Sequence, residues 1–213
     1  MENEYSRLAC IIHARAQSHA KRRYLVAIAG VPGSGKTTTA EAVARNLNLT
    51  AGAGTATLLS MDGFHLPRAM LDTLPNREEA YVRRGAPWTF DSHSEVLYAP
   101  GFSHETKDPV EDMVMVTNDT SIIILGGNYL LFGEPRWREI AQLVDFRVFV
   151  ETCLRETRMR VAKRHVKVGI EKSLEDACPR VDTNDNWNSN LIQERLISPD
   201  LVIRSVAETA LAG

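Results

Sequence analysis

The chain has 213 residues, 44% of them hydrophobic and 24% charged, and a formal net charge of −2. This length and composition predict one globular α/β domain with a sizeable hydrophobic core. The near-neutral charge excludes a general attraction to nucleic acid or anionic membranes, so any basic surface must be local.

The first predicted elements are a helix over residues 5–20 and a buried strand over Tyr24–Ala29. Residues 30–37 then read Gly-Val-Pro-Gly-Ser-Gly-Lys-Thr, which fits the phosphate-binding loop pattern G-x-x-x-x-G-K-[ST] at every required position. Apolar residues at helical spacing predict a helix over 38–47. Strand, glycine-rich loop and helix in this order favour a nucleotide-binding loop over a glycine-rich turn without function.

The chemistry of this loop predicts its ligands. Backbone N–H groups and the positive end of the following helix dipole bind phosphate groups. We expect Lys36 to reach the β- and γ-phosphates of ATP and the Thr37 hydroxyl to hold Mg²⁺. The residues predicted to bind nucleotide are Gly30, Val31, Pro32, Gly33, Ser34, Gly35, Lys36, Thr37 and Thr38.

Four further strands are predicted, over residues 55–61, 121–125, 146–150 and 201–204. Loops and a short helix are expected over 64–94, a basic helix over 153–168, and polar irregular segments over 99–112 and 169–190. Alternating strands and helices indicate a parallel sheet that helices cover on both faces. Ligands of such sheets collect at the carboxyl ends of the strands.

Asp62 follows the second predicted strand, in the stretch Ser60-Met61-Asp62-Gly63-Phe64-His65. A carboxylate at this edge of the sheet can accept the proton of an attacking hydroxyl group or bind Mg²⁺ through water. An Asp-Gly turn without function accounts for the same residues. The phosphate loop one strand earlier favours the functional interpretation.

Residues 83–91 and the segment after them contain further candidates. Arg83 and Arg84 are suited to substrate anions, although solvation alone explains at least one of them. Asp91 is expected to cap a short helix that starts near Ser92. His104 lies in a polar segment, and a lone histidine is more often structural than catalytic.

The predicted basic helix carries five cations within ten residues: Arg155, Arg158, Arg160, Lys163 and Arg164. Arg160 and Arg164 are four residues apart and share one helical face. Phosphoryl transfer needs cations over the migrating group, often on a mobile lid. A solvated helix face and a nucleic-acid patch are the alternatives. No aromatic stacking pattern accompanies these residues, so nucleic acid is not expected as a partner.

The longest apolar run, residues 122–132, is too short and too interrupted to span a bilayer. The first residues lack the pattern of a secretory signal. Three widely spaced cysteines without a C-x-x-C pair predict buried or inert thiols in a reducing compartment. We therefore expect a cytoplasmic protein without membrane partners. The basic first 23 residues leave a mitochondrial presequence open, although Glu2 and Glu4 oppose it.

Together these motifs resemble the phosphoribulokinase/uridine kinase/pantothenate kinase family of P-loop kinases, in particular a branch labelled as nucleoside or fructose-transport-type kinases. The similarity runs from about Tyr24 to about Ile203. Besides the phosphate loop it rests on residues 61–67 (MDGFHLP), 84–91 (RGAPWTFD), 99–104 (APGFSH), 107–110 (KDPV), 127–131 (GNYLL) and 160–165 (RVAKRH). The phosphate loop is shared by many families, whereas the strings at 62–65 and 85–91 are far more selective.

The resemblance implies a three-layer α/β/α fold with a parallel, five-stranded sheet and a helical lid, in one kinase domain over residues 1–213. Residues 1–22 would be an N-terminal helix, 24–47 the strand, phosphate loop and helix, and about 153–190 the lid and the base-side region. Asn184–Asn190 matches a segment that often packs near the nucleotide base.

The resemblance also implies ATP- and Mg²⁺-dependent phosphorylation of a hydroxyl group on a small-molecule acceptor. It matches Asp62, with Lys36, Arg160 and Arg164, to catalysis. The residues expected at the acceptor are Asp62, His65, Arg84, His104, Asn128 and Tyr129, and those expected at the metal ion are Thr37 and Asp62.

Two features depart from the family pattern. Gly126-Gly127 stands where the family usually has Glu-Gly, so a carboxylate near the expected Mg²⁺ is missing. The segment between Asp91 and Ala99 is shorter than the corresponding family segment, which is expected to reshape the acceptor pocket.

The leading hypothesis is a kinase for a sugar, a nucleoside or a pantothenate-like metabolite. The alternative is a nucleotide-binding pseudokinase, a regulatory ATP-binding protein with weak turnover because Gly126 replaces an acidic residue. A nucleic-acid-dependent ATPase has little support from the composition. The identity of the acceptor and the presence of a homodimer are left open.

Overall fold

The computed structural model describes residues 1–90, 99–103, 108–114 and 116–206. Its strands are β1 (Tyr24–Ala29), β2 (Ala56–Ser60), β3 (Ala99–Ser103), β4 (Asp108–Val114), β5 (Ile122–Gly127), β6 (Phe146–Glu151) and β7 (Leu201–Arg204). Its α-helices are α1 (Glu2–Gln17), α2 (Lys36–Ala51), α3 (Arg68–Leu71), α4 (Arg77–Val82), α5 (Pro135–Leu143), α6 (Leu154–Lys167), α7 (Leu174–Thr183) and α8 (Asp185–Glu194).

Five strands form one sheet in the order β2-β5-β1-β6-β7, and every neighbouring pair in it is parallel. Strand β1 lies at the centre of the sheet, third of five, between β5 and β6. Successive side chains of a strand point to opposite faces, so Val26 and Ile28 enter one core while Ala27 and Ala29 enter the other. Burial on both faces explains why these strands are nearly continuous apolar runs.

Helices cover both faces of the sheet. On one face, Leu8 and Ile12 of α1 and Val43 and Leu47 of α2 pack into the core that contains Val26. On the other face, Trp137 of α5 and Ile192 of α8 belong to the second core. The predicted three-layer α/β/α fold with a five-stranded parallel sheet is therefore confirmed.

Helices α6 and α7 have a small core of their own, built from Val161, Ala162, Ala177 and Val181. They extend from the carboxyl edge of the sheet, because α6 begins shortly after β6 ends. These two helices therefore pack partly on each other, apart from the two cores of the sheet.

Two predictions of irregular structure were wrong, and one helix was not predicted. Residues 99–103 and 108–114 form an antiparallel hairpin of β3 and β4, with Ser103 opposite Asp108. These strands pair only with each other and need no long apolar run, so hydrophobic patterning does not reveal them. Residues 174–194 form α7 and α8, and the Ser173 hydroxyl caps α7 by accepting the N–H of Asp176 at 3.1 Å. Helix α5 was also missed, although Pro135 occupies its first turn, where proline is favoured.

The described residues include all three cysteines, and their helices can be compared with the thickness of a membrane. Cys10, Cys153 and Cys178 are free, but Cys10 and Cys153 are exposed rather than buried. Among the residues that the structure describes, no helix is both long enough and apolar enough to cross a bilayer.

Candidate active site

The phosphate loop joins β1 to α2. Gly33 and Gly35 have φ angles of +79° and +89°, in the left-handed region that favours glycine. Gly35 is the N-cap of α2 and provides no side-chain hydrogen bond to the first turn. The N–H groups of that turn therefore remain available to an anion, and the helix dipole adds to the attraction.

The loop leaves no room for larger residues at two glycines. A Cβ atom on Gly30 would lie 2.4 Å from Ser34 Oγ, and one on Gly33 would lie 2.9 Å from the carbonyl oxygen of Thr157. Ser34 is fully buried, and its hydroxyl has no hydrogen-bond partner among the described residues. Glycine thus lets the loop approach α6 closely, while Thr37 and Thr38 remain exposed on the first turn of α2.

Lys36 is the first residue of α2, and its side chain is half-buried. Burial lowers the pKa of Lys36 to about 8, because desolvation disfavours the charged ammonium group. Arg164 lowers the pKa further, whereas the nearby carboxylates of Asp62 and Asp185 oppose the shift. The lysine therefore sits where a bound anion would stabilise its charge.

Asp62 lies on a short 3-10 helix, Met61–Phe64, directly after β2. Its N–H donates to Ser60 Oγ at 3.2 Å, and its carbonyl oxygen lies 2.9 Å from His65 Nδ1. These backbone contacts hold the residue at the rim of a cavity that Lys36 also lines. The structure therefore brings Asp62 to the phosphate loop, as the sequence predicted.

His65 and Arg84 line a neighbouring cavity, and both are held by other residues. The His65 ring packs on Phe90 with 4.0 Å between ring centroids, and burial lowers the pKa of His65. Arg84 donates to the carboxylate of Asp108 at 2.9 Å and to the carbonyl oxygen of Leu66 at 3.2 Å. Arg84 thus braces β4 against the cavity that it lines.

Asn128 and Tyr129 follow β5, and the structure separates their side chains. Asn128 lines the cavity beside Lys36, and its Oδ1 has no partner among the described residues. Tyr129 is fully buried, and its hydroxyl donates to the carbonyl oxygen of Gly85 at 2.8 Å. Burial also raises the pKa of Tyr129. The prediction that Tyr129 contacts the acceptor is therefore corrected: its ring packs in the core and its hydroxyl supports Gly85 in the cavity wall.

Arg160 and Arg164 both project from α6, with different partners. Arg160 donates to the carbonyl oxygen of Gly33 at 3.3 Å and to Ser205 Oγ at 3.1 Å, so it ties α6 to the phosphate loop. Arg164 lines the cavities beside Lys36. No described residue forms a hydrogen bond or an ion pair with its guanidinium group, which leaves it available to a phosphoryl group.

Two cavities lie side by side at this edge. The inner cavity has a volume of about 160 Å³ and is lined by residues that include Lys36, Thr37, Asp62, Asn128, Arg164 and Asn188. The outer cavity has a volume of about 670 Å³ and is lined by residues that include Asp62, His65, Arg68, Tyr81, Arg164 and Arg180. Asp62, Arg84, Arg164, Asn184 and Asp185 line both, so the two cavities are adjacent.

A further cavity of about 570 Å³ lies near the start of β6. There the Arg147 guanidinium is bound to Asp200 at 2.8 Å, and the Asp145 carboxylate accepts the N–H of Leu25 at 2.9 Å. Its acidic groups are already paired, and it is remote from the phosphate loop. The inner and outer cavities are therefore the candidate active site.

Sequence reasoning gave no individual role to Asp185, Asn188 or His165, although all three lie in segments that it had matched to the family. Asp185 begins α8 and lines both cavities, and its Oδ2 lies 3.8 Å from Nε2 of the buried His165. Burial raises the pKa of Asp185 and lowers that of His165. Asn188 is 3% exposed, and its Oδ1 has no partner among the described residues. Asp185 and Asn188 are three residues apart on one helical face, which would have grouped them if a helix had been predicted there.

Three predicted features remain. His104, expected at the acceptor, lies outside the described residues, as do Asp91 and the segment that follows it up to residue 98. Strand β5 ends in Gly126 and Gly127, so it supplies no carboxylate to the site. A Cβ atom on Gly126 would meet its neighbours at 3.6 Å or more, an ordinary contact, so the backbone there accommodates at least a methyl group.

The donor set fits Mg²⁺ that arrives with a nucleotide. Within the described part of the chain, no group of three or more His, Cys, Asp or Glu side chains could hold a metal ion. Mg²⁺ commonly keeps several waters and binds one or two carboxylates together with substrate phosphates. Thr37 and Asp62 offer hard oxygen donors in one cavity, which suits this mode of binding.

Comparison with known proteins identifies the family. No family model matches the chain. A protein of Schizosaccharomyces pombe named as a candidate uridine kinase is 35% identical over 199 residues, which cover 87% of this chain and 85% of the relative. The chain belongs to the phosphoribulokinase/uridine kinase/pantothenate kinase family of P-loop kinases. This P-loop kinase is also 33% identical over 191 residues to the ATP-dependent kinase YFH7 of Eremothecium gossypii, and that match spans 70% of this chain and 57% of the relative.

A solved structure supports the same assignment. The crystal structure of a candidate fructose transport system kinase from Silicibacter sp. TM1040 is 28% identical to this P-loop kinase and has a TM-score of 0.79. The match covers 92% of this chain and 98% of that one. Fold and relatives together identify a kinase-type enzyme.

Proposed function

We propose that this enzyme transfers the γ-phosphoryl group of ATP to a hydroxyl group of a small metabolite. The observation that carries the proposal is the inner cavity, where Lys36, the Asp62 carboxylate and the Arg164 guanidinium meet. Phosphoryl transfer depends mainly on positioning and on stabilisation of charge, and these groups supply both. The relatives that are named as kinases support the same reaction class.

Each residue has a distinct part in this proposal. Asp62 accepts the proton of the acceptor hydroxyl while the hydroxyl oxygen bonds to the γ-phosphorus, the bond from that phosphorus to the β–γ bridging oxygen breaks, and ADP leaves. Lys36 and Arg164 stabilise the negative charge on the transferred group. Arg160 positions α6 through its bond to the phosphate loop. Mg²⁺, held by Thr37 and Asp62, would neutralise charge on the β- and γ-phosphates.

We also propose that residues 1–213 act as one kinase domain, with about 153–190 as the lid and the base-side region. The separate small core of α6 and α7 supports this division. So does the contact between Arg160 and Gly33, because it joins the lid directly to the phosphate loop.

The alternative function, a regulatory ATP-binding protein with weak turnover, was based on Gly126, which leaves the end of β5 without a carboxylate. The comparisons do not favour it, because the relatives are named as kinases. Asp62 and Asp185 also place two carboxylates in the inner cavity without help from β5. A kinase is therefore the better-supported function.

The test is phosphoryl transfer from γ-labelled ATP to a panel of small hydroxyl metabolites. We expect a labelled product with the wild-type protein and none with Lys36→Ala. Asp62→Asn, an isosteric change, should lower kcat by about 100-fold or more, because it removes both the proton acceptor and a carboxylate ligand for Mg²⁺. Tight Mg-ATP binding without product from any acceptor would contradict the proposal, and full activity in Asp62→Asn would show that another group is the base.

A further inference from the structure

We infer, on the basis of the proposed function, that the acceptor is an anionic polyhydroxylated metabolite, a sugar phosphate or a sugar acid. Its hydroxyl groups occupy the inner cavity, and its anionic group lies beside Arg68 in the outer cavity. Two independent observations carry this inference, one from each cavity.

The inner cavity is built for hydroxyl groups. Asn128, Asn184 and Asn188 line it, and the side-chain oxygen of each is buried without a hydrogen-bond partner among the described residues. Buried amide groups without partners call for a ligand that can satisfy them. A hydroxyl group both donates and accepts, so it satisfies an amide in either orientation, and it also donates to the Asp185 carboxylate.

The inner cavity does not suit a planar base. None of the described side chains that line it is aromatic. A nucleobase is commonly bound between aromatic or apolar surfaces, which polar amide and charged groups do not replace. The compound that reaches Asp62 therefore presents hydroxyl groups there.

Besides Arg164, the outer cavity contains one more guanidinium group that has no direct hydrogen bond or ion pair with a described residue. Of its arginines, Arg84 is bound to Asp108 at 2.9 Å, and Arg180 lies 3.3 Å from the carboxylate of Glu171. Arg68 also lines this cavity, and no described residue forms an ion pair or a hydrogen bond with its guanidinium group. Arginine binds phosphate and carboxylate through two parallel hydrogen bonds, so Arg68 suits either anion.

A nucleoside would use the same space differently. Its ribose would fill the inner cavity and its base the outer one, where Tyr81 offers a ring that already has the Arg77 guanidinium 5.3 Å from its centroid. A neutral base would also leave the Arg68 guanidinium without a direct ion pair among the described residues. The anionic acceptor accounts for Arg68, and the nucleoside does not.

The first experiment measures binding to the protein saturated with Mg²⁺ and AMP-PNP, so that the phosphate loop is occupied. The probes are trioses to hexoses, their phosphates, the corresponding sugar acids, uridine and pantothenate. We expect at least one sugar phosphate or sugar acid to bind about tenfold tighter than its neutral parent and than uridine. Comparison of the phosphates with the acids shows which anion is preferred.

Variants test the two cavities separately. Arg68→Gln should remove the preference for the anionic probe and leave the binding of its neutral parent unchanged. Arg136→Gln is the control, because it removes the same charge from an exposed position on α5, away from the two cavities. Asn188→Asp should weaken the binding of both probes, whereas Asn190→Asp, at an exposed position of the same helix, should not. Thermal unfolding of each variant shows that it is folded.

The outcomes are distinct. Equal binding of anionic and neutral probes, an unchanged preference in Arg68→Gln, tighter binding of uridine, or no binding of any sugar derivative overturns the inference. Transfer of the γ-phosphoryl group to uridine or pantothenate alone also overturns it while the kinase proposal stands. Preferential binding of a sugar phosphate or sugar acid, with no Lys36-dependent transfer to any probe, supports the assigned site and contradicts the kinase proposal.

Discussion

Nucleotide affinity is expected to fall as the pH rises above 8, because Lys36 must be protonated to attract phosphate. In the free protein, burial lowers the pKa of Lys36 to about 8. The negative charge of bound phosphates favours the ammonium form and raises this pKa in the complex. The complex therefore holds more protons than the free protein in this range, and by linkage its affinity declines with rising pH.

The size of the effect follows from the pKa of the free protein. With a pKa of about 8, the protonated fraction of Lys36 falls from about 0.9 at pH 7 to about 0.1 at pH 9. The dissociation constant of Mg-ADP should therefore rise about tenfold between these pH values. At pH 8, binding should take up about half a proton.

Titration of a fluorescent ADP analogue with Mg²⁺ from pH 7 to pH 9 measures the affinity. Calorimetry at pH 8 in two buffers of different ionisation enthalpy measures the proton uptake. Lys36→Met should bind weakly and with little dependence on pH, whereas Lys163→Met, at an exposed position of α6, should behave like the wild type. A constant affinity of the wild-type protein from pH 7 to pH 9, or a release of protons on binding, would refute the reasoning.

Three substitutions test other parts of the structure. Gly33→Ala should destabilise the protein by about 1 kcal/mol or more and weaken nucleotide binding. The reason is that φ at Gly33 is positive and the added Cβ would lie 2.9 Å from the Thr157 carbonyl oxygen. Thermal unfolding measures the effect, and Gly126→Ala is the matched control because its Cβ meets only ordinary contacts. Tyr129→Phe should cost about 1–3 kcal/mol in denaturant unfolding, because the Gly85 carbonyl oxygen loses its donor, while an unchanged stability would count against that hydrogen bond. Gly126→Glu should fold and give no more than about a tenfold gain in phosphoryl transfer. A larger gain in the labelled-ATP assay would favour the alternative of a regulatory ATP-binding protein, whose turnover is weak because this carboxylate is missing.

The central sheet could be predicted because its strands are buried on both faces. Each one is a short apolar run bounded by glycine, proline or charged residues, so hydrophobicity alone locates it. The β3–β4 hairpin and helices α7 and α8 could not be located in this way, because neither segment contains a long apolar run. The cap at Ser173 was a local signal for α7, but it is weak without an apolar period beside it.

Within the candidate site, the residues that could be predicted lie in short contiguous motifs. The phosphate loop and Asp62 are of this kind, because a backbone cradle and a carboxylate at a strand end depend on neighbours in sequence. The sequence also indicated Arg160 and Arg164 through their spacing, but not that Arg160 is bound to Gly33 while Arg164 is free of described partners. Tyr129 was assigned to the acceptor, although packing buries it in the core.

The sequence by itself determined the P-loop kinase fold, the place of the phosphate loop and the carboxylate beside it, since each depends on local pattern and hydrophobic burial. Only the tertiary structure decided how α8 closes the inner cavity with Asp185 and Asn188, and how Arg68 reaches the outer one. These cavities bring together residues as far apart in sequence as Lys36 and Asn188, and nothing in the local chemistry of an aspartate, an asparagine or an arginine specifies a distant partner. Burial, charge and unsatisfied hydrogen-bonding groups indicate a binding site only when packing brings the side chains together.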